Sequence, residues 1–206
     1  LKAMYQYAKL NEYIDRDLTE GLVYEWTNST EQIHDRYSDE EIKTLWSKLY
    51  EINNVDIILI MIYTGLRPTE LLEIQTENVH LDEKYMVGGM KTEAGKDRII
   101  QLNDKIIPLV KNRYDANKKY LINNKFGNHY TYGTYMNGNF NTCMGKLKMK
   151  HLPHDGRHTF ASLMDSAGAN DVCIKLIMGH SMKNDTTKGT YTHKTLEELL
   201  TEVNKI

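Results

Sequence analysis

The stretch from Val55 to Leu66 is apolar on almost every side of a helix. A helix with a single apolar face lies at a protein surface, whereas one that is apolar all round must be enclosed by other elements. Gly65 suits a left-handed C-terminal cap, and Pro68 suits the first turn of a following helix. The sequence therefore predicts a helix at the centre of a core, ended by a sharp turn into a second helix.

The composition is that of an ordinary globular domain. The 206 residues are 40% hydrophobic and 26% charged, which excludes disordered and collagen-like chains and suffices for a core. The longest apolar run, 57–63, is too short to span a membrane. Cys143 and Cys173 form no CxxC pair, which favours a reducing, cytosolic setting. Because the first residue is Leu1, we expect a fragment of a longer protein.

Charge is distributed unevenly along the chain. Residues 1–83 carry a net charge of −10 and residues 84–160 one of +9, although the whole chain carries only −2. A basic middle third indicates either a face that binds a polyanion or a solvated lysine surface. Charge alone does not decide between these two interpretations.

Local patterns divide the chain near residue 38. Residues 1–26 have helical spacing of apolar positions, and the polar stretch Thr27–Tyr37 is typical of a linker. The segment from Ser38 to Glu41 has the pattern of a capping box at the start of a helix. We therefore expect the main domain to begin near Ser38.

The secondary structure changes type around residues 84–102. Apolar runs there flank a turn-rich segment, Thr92–Lys96, which predicts a β-hairpin. Helices are expected over 105–122, 134–149, 156–167, 170–178 and 194–205. The predicted class is mixed α+β, mostly helical, with one small antiparallel β-sheet.

Two arginines are predicted at helix N-termini, where backbone N–H groups and the helix dipole favour an anion. Arg67 precedes Pro68 at the bend between two helices, and Arg157 lies in the first turn of a helix that Pro153 begins. A guanidinium forms a bidentate fork that matches phosphate. An ordinary surface arginine, or a helix capped by Asp155 with incidental neighbours, would give the same patterns.

Further polar residues could act beside them. His154, three residues before Arg157, faces the same way. His180 closes a helix and would donate to a phosphate or simply cap that helix. Tyr191 is the only tyrosine after Tyr135 and lies in a polar segment. A phenol has a pKa of about 10 and needs nearby cations to act as a nucleophile.

Four short motifs, GLRPTEL, HDGRHTF, GHS and TYTH, occur in this order. Together they resemble the tyrosine recombinase (phage integrase) family over residues 38–206. The resemblance implies the tyrosine-recombinase catalytic fold for 38–206, with a C-terminal helix as its tail. Residues 1–37 would then be the end of a preceding core-binding domain plus a linker.

The resemblance also implies a mechanism. A tyrosine attacks a DNA phosphodiester to give a 3′-phosphotyrosine, and a hairpin lysine protonates the departing 5′ oxygen. Two arginines hold the phosphate, one histidine assists proton transfer at the tyrosine, and another hydrogen-bonds the phosphate. No metal, ATP or other cofactor is required. The implied catalytic residues are Arg67, Lys91, His154, Arg157, His180 and Tyr191, with Lys96 as the alternative to Lys91.

The implied partner is double-stranded DNA at recombination sites. Cleavage is expected in a homotetramer, joined through the C-terminal helix, with an accessory DNA-bending or excision protein as a further partner. That helix has an apolar stripe, which would pack on its own domain or on a neighbouring subunit. A bacterial, DNA-associated protein of the cytoplasm is expected. The predicted DNA-binding residues are Lys96, Arg98, Lys146, Lys148 and Lys150.

Three alternatives remain open from the sequence. His151, His154 and His158 lie close together and suit a metal, although Pro153 separates the first from the other two. A catalytically inactive DNA-binding module would keep the fold alone. A type IB-like topoisomerase would use the same chemistry to cut and reseal one strand.

Overall fold

The computed structural model describes residues 2–20, 35–89, 97–124, 126–180 and 194–206. The chain divides into two compact units, Leu1–Ile33 and His34–Ile206. In the first unit, helix α1 covers Lys2–Leu10. The prediction of a helix through residue 20 is wrong, because Glu12 adopts a left-handed φ of 56° and the N–H of Tyr13 donates to the carbonyl of Ala8 (2.9 Å). This bond closes the helix C-terminus. Residues 21–26 lie outside the described residues.

Helix α2 (Asp39–Ser47) begins the second unit, as predicted. The N–H of Glu41 donates to Oγ of Ser38 (3.2 Å), and the N–H of Ser38 donates to Oε2 of Glu41 (2.8 Å). The expected linker does not reach as far as Tyr37. That residue is 1% exposed, its N–H donates to Oγ1 of Thr159 (2.9 Å), and its ring stacks on His151 at 3.8 Å. Tyr37 therefore belongs to the core.

The central helix is confirmed as α3 (Val55–Thr64), in which every residue except Asp56 is buried. It packs against α8 (Asp155–Ser166) so closely that a Cβ on Gly156 would lie 3.1 Å from Cβ of Met61. Gly65 ends the helix with a left-handed φ of 64°, as expected. A Cβ there would also lie 2.5 Å from the ring of Phe160, so the turn requires glycine for two reasons.

The hairpin is confirmed by the antiparallel strands β2 (Tyr85–Gly88) and β3 (Arg98–Gln101), whose register pairs Met86 with Ile100. Its tip, including Lys91 and Lys96, lies outside the described residues. A two-residue strand, β1 (Val79–His80), adds to β2 after a 3₁₀ turn at Thr76–Asn78. A strand this short leaves no alternating pattern, which is why the sequence does not predict it.

The helix predicted over 105–122 is only partly correct. Helix α5 covers Ile107–Arg113 and ends where Tyr114 turns extended. The chain then pairs with the segment after α4 (Pro68–Leu72): the N–H of Leu121 donates to the carbonyl of Ile74 (2.9 Å). Leu121 and Ile122 are buried by this strand-like pairing rather than on a helix face.

The remaining helices confirm the predictions to within two residues at each end, and 134–149 contains a π-helical segment. The last helix packs on its own unit: Val203 is fully buried, and Nδ2 of Asn103 donates to its carbonyl (2.7 Å). Docking of this helix on another subunit stays a prediction. The bounds are α6 Tyr132–Thr134, π Tyr135–Phe140, α7 Asn141–Leu147, α8 as above, α9 Asp171–Met178 and α10 Leu196–Val203.

Candidate active site

Arg67 lies at the start of α4, as predicted. Its backbone is extended (φ −67°, ψ 147°) because Pro68 follows, and it serves as the N-cap residue. Glu70, one turn later, accepts the N–H of Arg67 at Oε2 (3.0 Å) and its Nη1 at Oε1 (2.9 Å). The Arg67 side chain is 22% exposed. The same carboxylate thus fixes both the backbone and the guanidinium, and leaves the cation partly open to solvent.

Glu70 is a site residue that the motif analysis missed. Its side chain is 1% exposed and accepts a second guanidinium, Nη2 of Arg98 at 3.0 Å. Burial opposes ionisation, but hydrogen bonds from Arg98 and from the Arg67 N–H outweigh it and lower the pKa of Glu70 to about 2. An acidic residue at the third helical position is a capping signal that could have indicated it.

Arg98 lies elsewhere than the sequence suggested. It was expected on the DNA-facing surface of the hairpin, but its side chain is only 7% exposed. It points inward from β3, where Nε donates to the carbonyl of Ile177 (3.1 Å) while the guanidinium binds Glu70. A side chain enclosed in this way is not an exposed phosphate contact, so the structure corrects that expectation.

Arg157 lies in the first turn of α8, as expected from Pro153. The residue is 4% exposed, and its Nη1 and Nη2 donate to the carbonyls of Gly65 and Met178, both at 2.7 Å. Burial, together with the positive charges of Arg67 and Arg98, lowers the pKa of Arg157 to about 10. The guanidinium therefore stays protonated at neutral pH, and it joins the turn before Arg67 to the end of α9.

Two histidines lie at helix ends near Arg157, His154 at the start of α8 and His180 just after α9. His154 is partly exposed and precedes α8, and its ring meets that of His158 edge-on at 5.2 Å. His180 is exposed just beyond α9, after Gly179 in a left-handed conformation. Partial desolvation of the imidazole and the charges of Arg157, Arg67 and Arg98 lower the pKa of His180. Its imidazole is therefore neutral at pH 7 and lies in the field of these guanidinium groups.

The start of α8 is held by a separate polar cluster. Asp155 accepts the N–H of Leu152 at 2.8 Å, and its Oδ2 lies 3.2 Å from Nδ1 of His151. Nε2 of His151 lies 3.2 Å from Oε1 of Glu41. His151 thus links α2 to α8 rather than joining His154 and His158. Over the described ranges, no group of three or more His, Cys, Asp or Glu residues is arranged to hold a metal ion.

The remaining predicted residues divide into two groups. Lys146, Lys148 and Lys150 are exposed. Lys146 lies in the last turn of α7, whereas Lys148, which has a left-handed φ of 56°, and Lys150 lie between α7 and α8. Lys91, Lys96 and Tyr191 lie outside the described residues, so their roles stay predictions. The structure brings together Arg67, Arg157 and His180, adds Glu70 and Arg98 to them, and positions His154 at the start of the helix that carries Arg157.

Comparison of the sequence with known protein families gives an independent assignment. Residues 31–198 match the model of the phage integrase family, which is most of the chain. The chain belongs to the phage integrase family. Members of this family cleave and rejoin DNA strands.

Individual relatives agree with this assignment. A tyrosine recombinase of Thermosipho africanus is 25% identical over an alignment that covers 97% of this chain and 74% of that protein. The transposase from transposon Tn916 of Enterococcus faecalis is 27% identical over an alignment that covers 74% of this chain and 45% of that protein. This phage integrase family member therefore spans only part of either relative.

A solved structure supports the fold. The Tn1549 transposon integrase, in complex with circular intermediate DNA, matches with a TM-score of 0.69 and 22% identity, covering 98% of this chain and 75% of that one. The predicted mixed α+β fold of a tyrosine recombinase is thereby confirmed. Within the part of the chain that the structure describes, no helix is long and apolar enough to cross a membrane.

Proposed function

We propose that this chain is the catalytic part of a site-specific DNA recombinase of a mobile element. The observation that carries the proposal is the group of Arg67, Arg98, Arg157 and Glu70. Glu70 pairs with Arg67 and Arg98, and Arg157 lies close enough for their charges to act on it, so these four side chains together carry a net charge of +2. Charges held away from water are ordinarily paired, and an excess of this size favours an anionic ligand.

The chemistry of that anion follows from the donors. Arg67 is the more exposed of the two predicted phosphate ligands, and Arg157 lies behind it, joined to the preceding turn. Planar guanidinium groups bind the non-bridging oxygens of a phosphodiester and stabilise the charge that develops on them in the transition state. The neutral imidazole of His180 donates a further hydrogen bond to the same group.

The proposed reaction exchanges one ester for another. The Tyr191 oxygen attacks phosphorus and forms the 3′-phosphotyrosine bond while the bond to the 5′ oxygen breaks. His154 assists removal of the phenolic proton, and Lys91, or Lys96 in its place, donates a proton to the departing 5′ oxygen. In the reverse direction a 5′ hydroxyl attacks the phosphotyrosine and reseals a strand. The ester bond is conserved, so neither ATP nor a metal enters these steps.

The exposed lysines at the end of α7 and between α7 and α8 supply the proposed contacts to double-stranded DNA outside the site. Lys146, Lys148 and Lys150 would bind phosphates, which position the duplex without reading its sequence. We take the second compact unit, His34–Ile206, which includes Tyr37 in its core, as the catalytic domain, and the residues before it as the end of a core-binding domain with its linker. Assembly into a tetramer, an accessory protein and a place in the bacterial cytoplasm complete the proposal.

The decisive experiment is a covalent trapping assay. The full-length protein is incubated with a duplex that carries the junction of its own element, nicked so that the cleaved end diffuses away. We expect a protein–DNA adduct that survives denaturation, with the modified peptide containing Tyr191. Tyr191→Phe removes the adduct, whereas Tyr50→Phe, at an 87% exposed tyrosine, retains it.

The other outcomes distinguish the alternatives. An adduct on a different tyrosine would contradict the assignment of Tyr191. Salt-sensitive DNA binding without any adduct, in the presence of accessory protein, would indicate an inactive binding module. Relaxation of a plasmid that lacks the junction would instead indicate a topoisomerase.

A further inference from the structure

We propose that Arg98 is a positioning residue of the recombinase site, which sets the placement of Arg67 relative to His180. Arg98 bridges the two elements that carry these side chains. Its guanidinium binds Glu70, the carboxylate that holds Arg67, through Nη2 to Oε2 (3.0 Å) and Nη1 to Oε1 (3.4 Å). Its Nε donates to the carbonyl of Ile177 in the last turn of α9, three residues before His180.

The end of α9 is shaped around this side chain. A Cβ on Gly179 would lie 3.0 Å from Cδ, 3.1 Å from Nε and 3.2 Å from Cζ of Arg98. Gly179 also has a left-handed φ of 66°, and the N–H of His180 donates to the carbonyl of Lys175 (2.9 Å) to close the helix. The backbone that presents His180 therefore lies directly against the Arg98 guanidinium.

Arg98 works in parallel with Arg157. Arg157 joins the carbonyl of Gly65 to that of Met178, and Arg98 joins Glu70 to the carbonyl of Ile177. The two guanidinium groups thus tie the α3–α4 turn to consecutive carbonyls of α9. Arg98 is the more enclosed partner of Glu70, with 7% of its side chain exposed against 22% for Arg67. This geometry assigns Arg98 to the support of the site rather than to contact with DNA.

Lysine cannot replace this function, because a single ammonium lacks the planar fork that bonds a carboxylate and a carbonyl at fixed angles. Loss of the fork would let Glu70 and the α9 terminus move apart while the positive charge remains. A displacement of about 1 Å among catalytic groups can lower a rate by about 100-fold. The inference rests on the proposed function, since it concerns the rate of that reaction.

The test compares Arg98→Lys with Arg113→Lys in the full-length protein. Arg113 is a matched control because it also forms a bidentate pair, with Asp56 (2.5 and 2.7 Å), and its side chain is 21% exposed. Single-turnover adduct formation and DNA affinity are measured separately, and thermal melting verifies folding. We expect Arg98→Lys to lower the adduct rate about 10- to 100-fold, with DNA affinity changed by less than about twofold. Arg113→Lys leaves both unchanged.

A second readout does not depend on DNA. In NMR spectra, Arg98→Lys shifts the backbone amide signals of Gly179 and His180, and the Nε signal of Arg67, whereas Arg113→Lys does not. An unchanged adduct rate in folded Arg98→Lys, or unmoved signals at these three positions, would overturn the proposal. If the wild type forms no adduct while the signals shift, the proposed function fails, and only the structural link from Arg98 to Arg67 and the end of α9 is supported.

A substitution of Glu70, the partner of Arg98, tests the proposal if Arg98→Lys does not fold. Glu70→Gln retains the shape of the clamp but weakens its bonds to Arg98, and we expect the same signals to shift. A folded Glu70→Gln protein whose α9 signals are unmoved would contradict coupling through Arg98.

Discussion

The second unit contains two arginine–carboxylate clusters of different design. Arg113 and Asp56 form a closed pair, in which one cation meets one anion through two hydrogen bonds, and Asn54 accepts a third (3.0 Å). Glu70 instead accepts two guanidinium groups, and the charge of Arg157 acts on the same cluster. The first cluster is electrically complete and ties the start of α3 to the end of α5.

This difference separates a structural cluster from a functional one. Holding a third guanidinium beside two others costs free energy, because like charges repel and burial adds a desolvation penalty. The retained excess is explained by an anion that completes the cluster, as the proposed reaction provides. Predictions that set the two clusters against each other follow.

The largest expected effect is on catalysis. Arg157→Lys retains a charge but loses the two bonds to the carbonyls of Gly65 and Met178 and the fork presented to phosphate. We expect the single-turnover adduct rate to fall by about 100- to 1,000-fold, as on removal of a transition-state donor. A rate within a few-fold of wild type would contradict the assignment of Arg157.

The second effect is on stability. Glu70→Gln leaves the guanidinium groups of Arg67 and Arg98 without their carboxylate, so we expect it to lower the free energy of unfolding by about 3–5 kcal/mol. Asp56→Asn removes the anion of a closed, more exposed pair and is expected to cost about 1–3 kcal/mol. Urea unfolding of the 206-residue chain measures both. An equal cost for the two substitutions would refute the distinction between the clusters.

The third effect is on the stability of the protein at acidic pH. The pKa of Glu70 is lowered to about 2 in the folded protein, from an ordinary 4.5. Its ionisation therefore adds stability above pH 4.5, and that contribution is lost as the pH falls from 4.5 toward 2. Unfolding midpoints recorded across this range are expected to fall less steeply in Glu70→Gln than in wild type. Identical pH profiles would mean that the pKa of Glu70 does not change on folding, which would contradict its pairing with the two arginines.

The fourth effect is a shift in the titration of His180. Its pKa lies below 6.5, so the imidazole stays neutral until the pH falls further than for an ordinary histidine. In an NMR titration, the pKa of His180 is expected to be higher in Arg157→Gln than in wild type, because Arg157 is the charge that lowers it most. Lys175→Gln, which removes the smallest of these influences, serves as the control and moves it less. A normal pKa in the wild type would remove His180 from the cluster.

The smallest effect concerns DNA affinity. If Lys148 binds one phosphate, Lys148→Gln lowers the slope of log affinity against log salt by about 0.9. Lys84→Gln is the matched control, since Lys84 is exposed but paired with Asp104 at 2.9 Å. The binding constant is measured at several salt concentrations. An equal change in slope for both lysines would show that the turn before α8 is not a specific phosphate contact.

Helix termini at the site could be predicted because their signals are local. Pro68 fixes the backbone beside Arg67, and Gly65 and Gly179 end helices in a conformation that favours glycine. The prediction is wrong where contacts with a distant part of the chain override the local signal. The helix expected over 105–122 stops at Arg113, since the residues after it pair with a neighbouring segment of chain.

The sequence by itself determined the central helix α3, the hairpin strands and the starts of the helices that carry the two arginines. Only the tertiary structure decided the partners of Glu70. Arg98 is 28 residues from it, and Ile99 and Ile100 beside it are both apolar, so no alternation in the sequence indicates which face of β3 is buried. Because a shift of one residue in a strand exchanges its two faces, the register with β2 turns Arg98 inward to Glu70 and leaves Ile99 45% exposed.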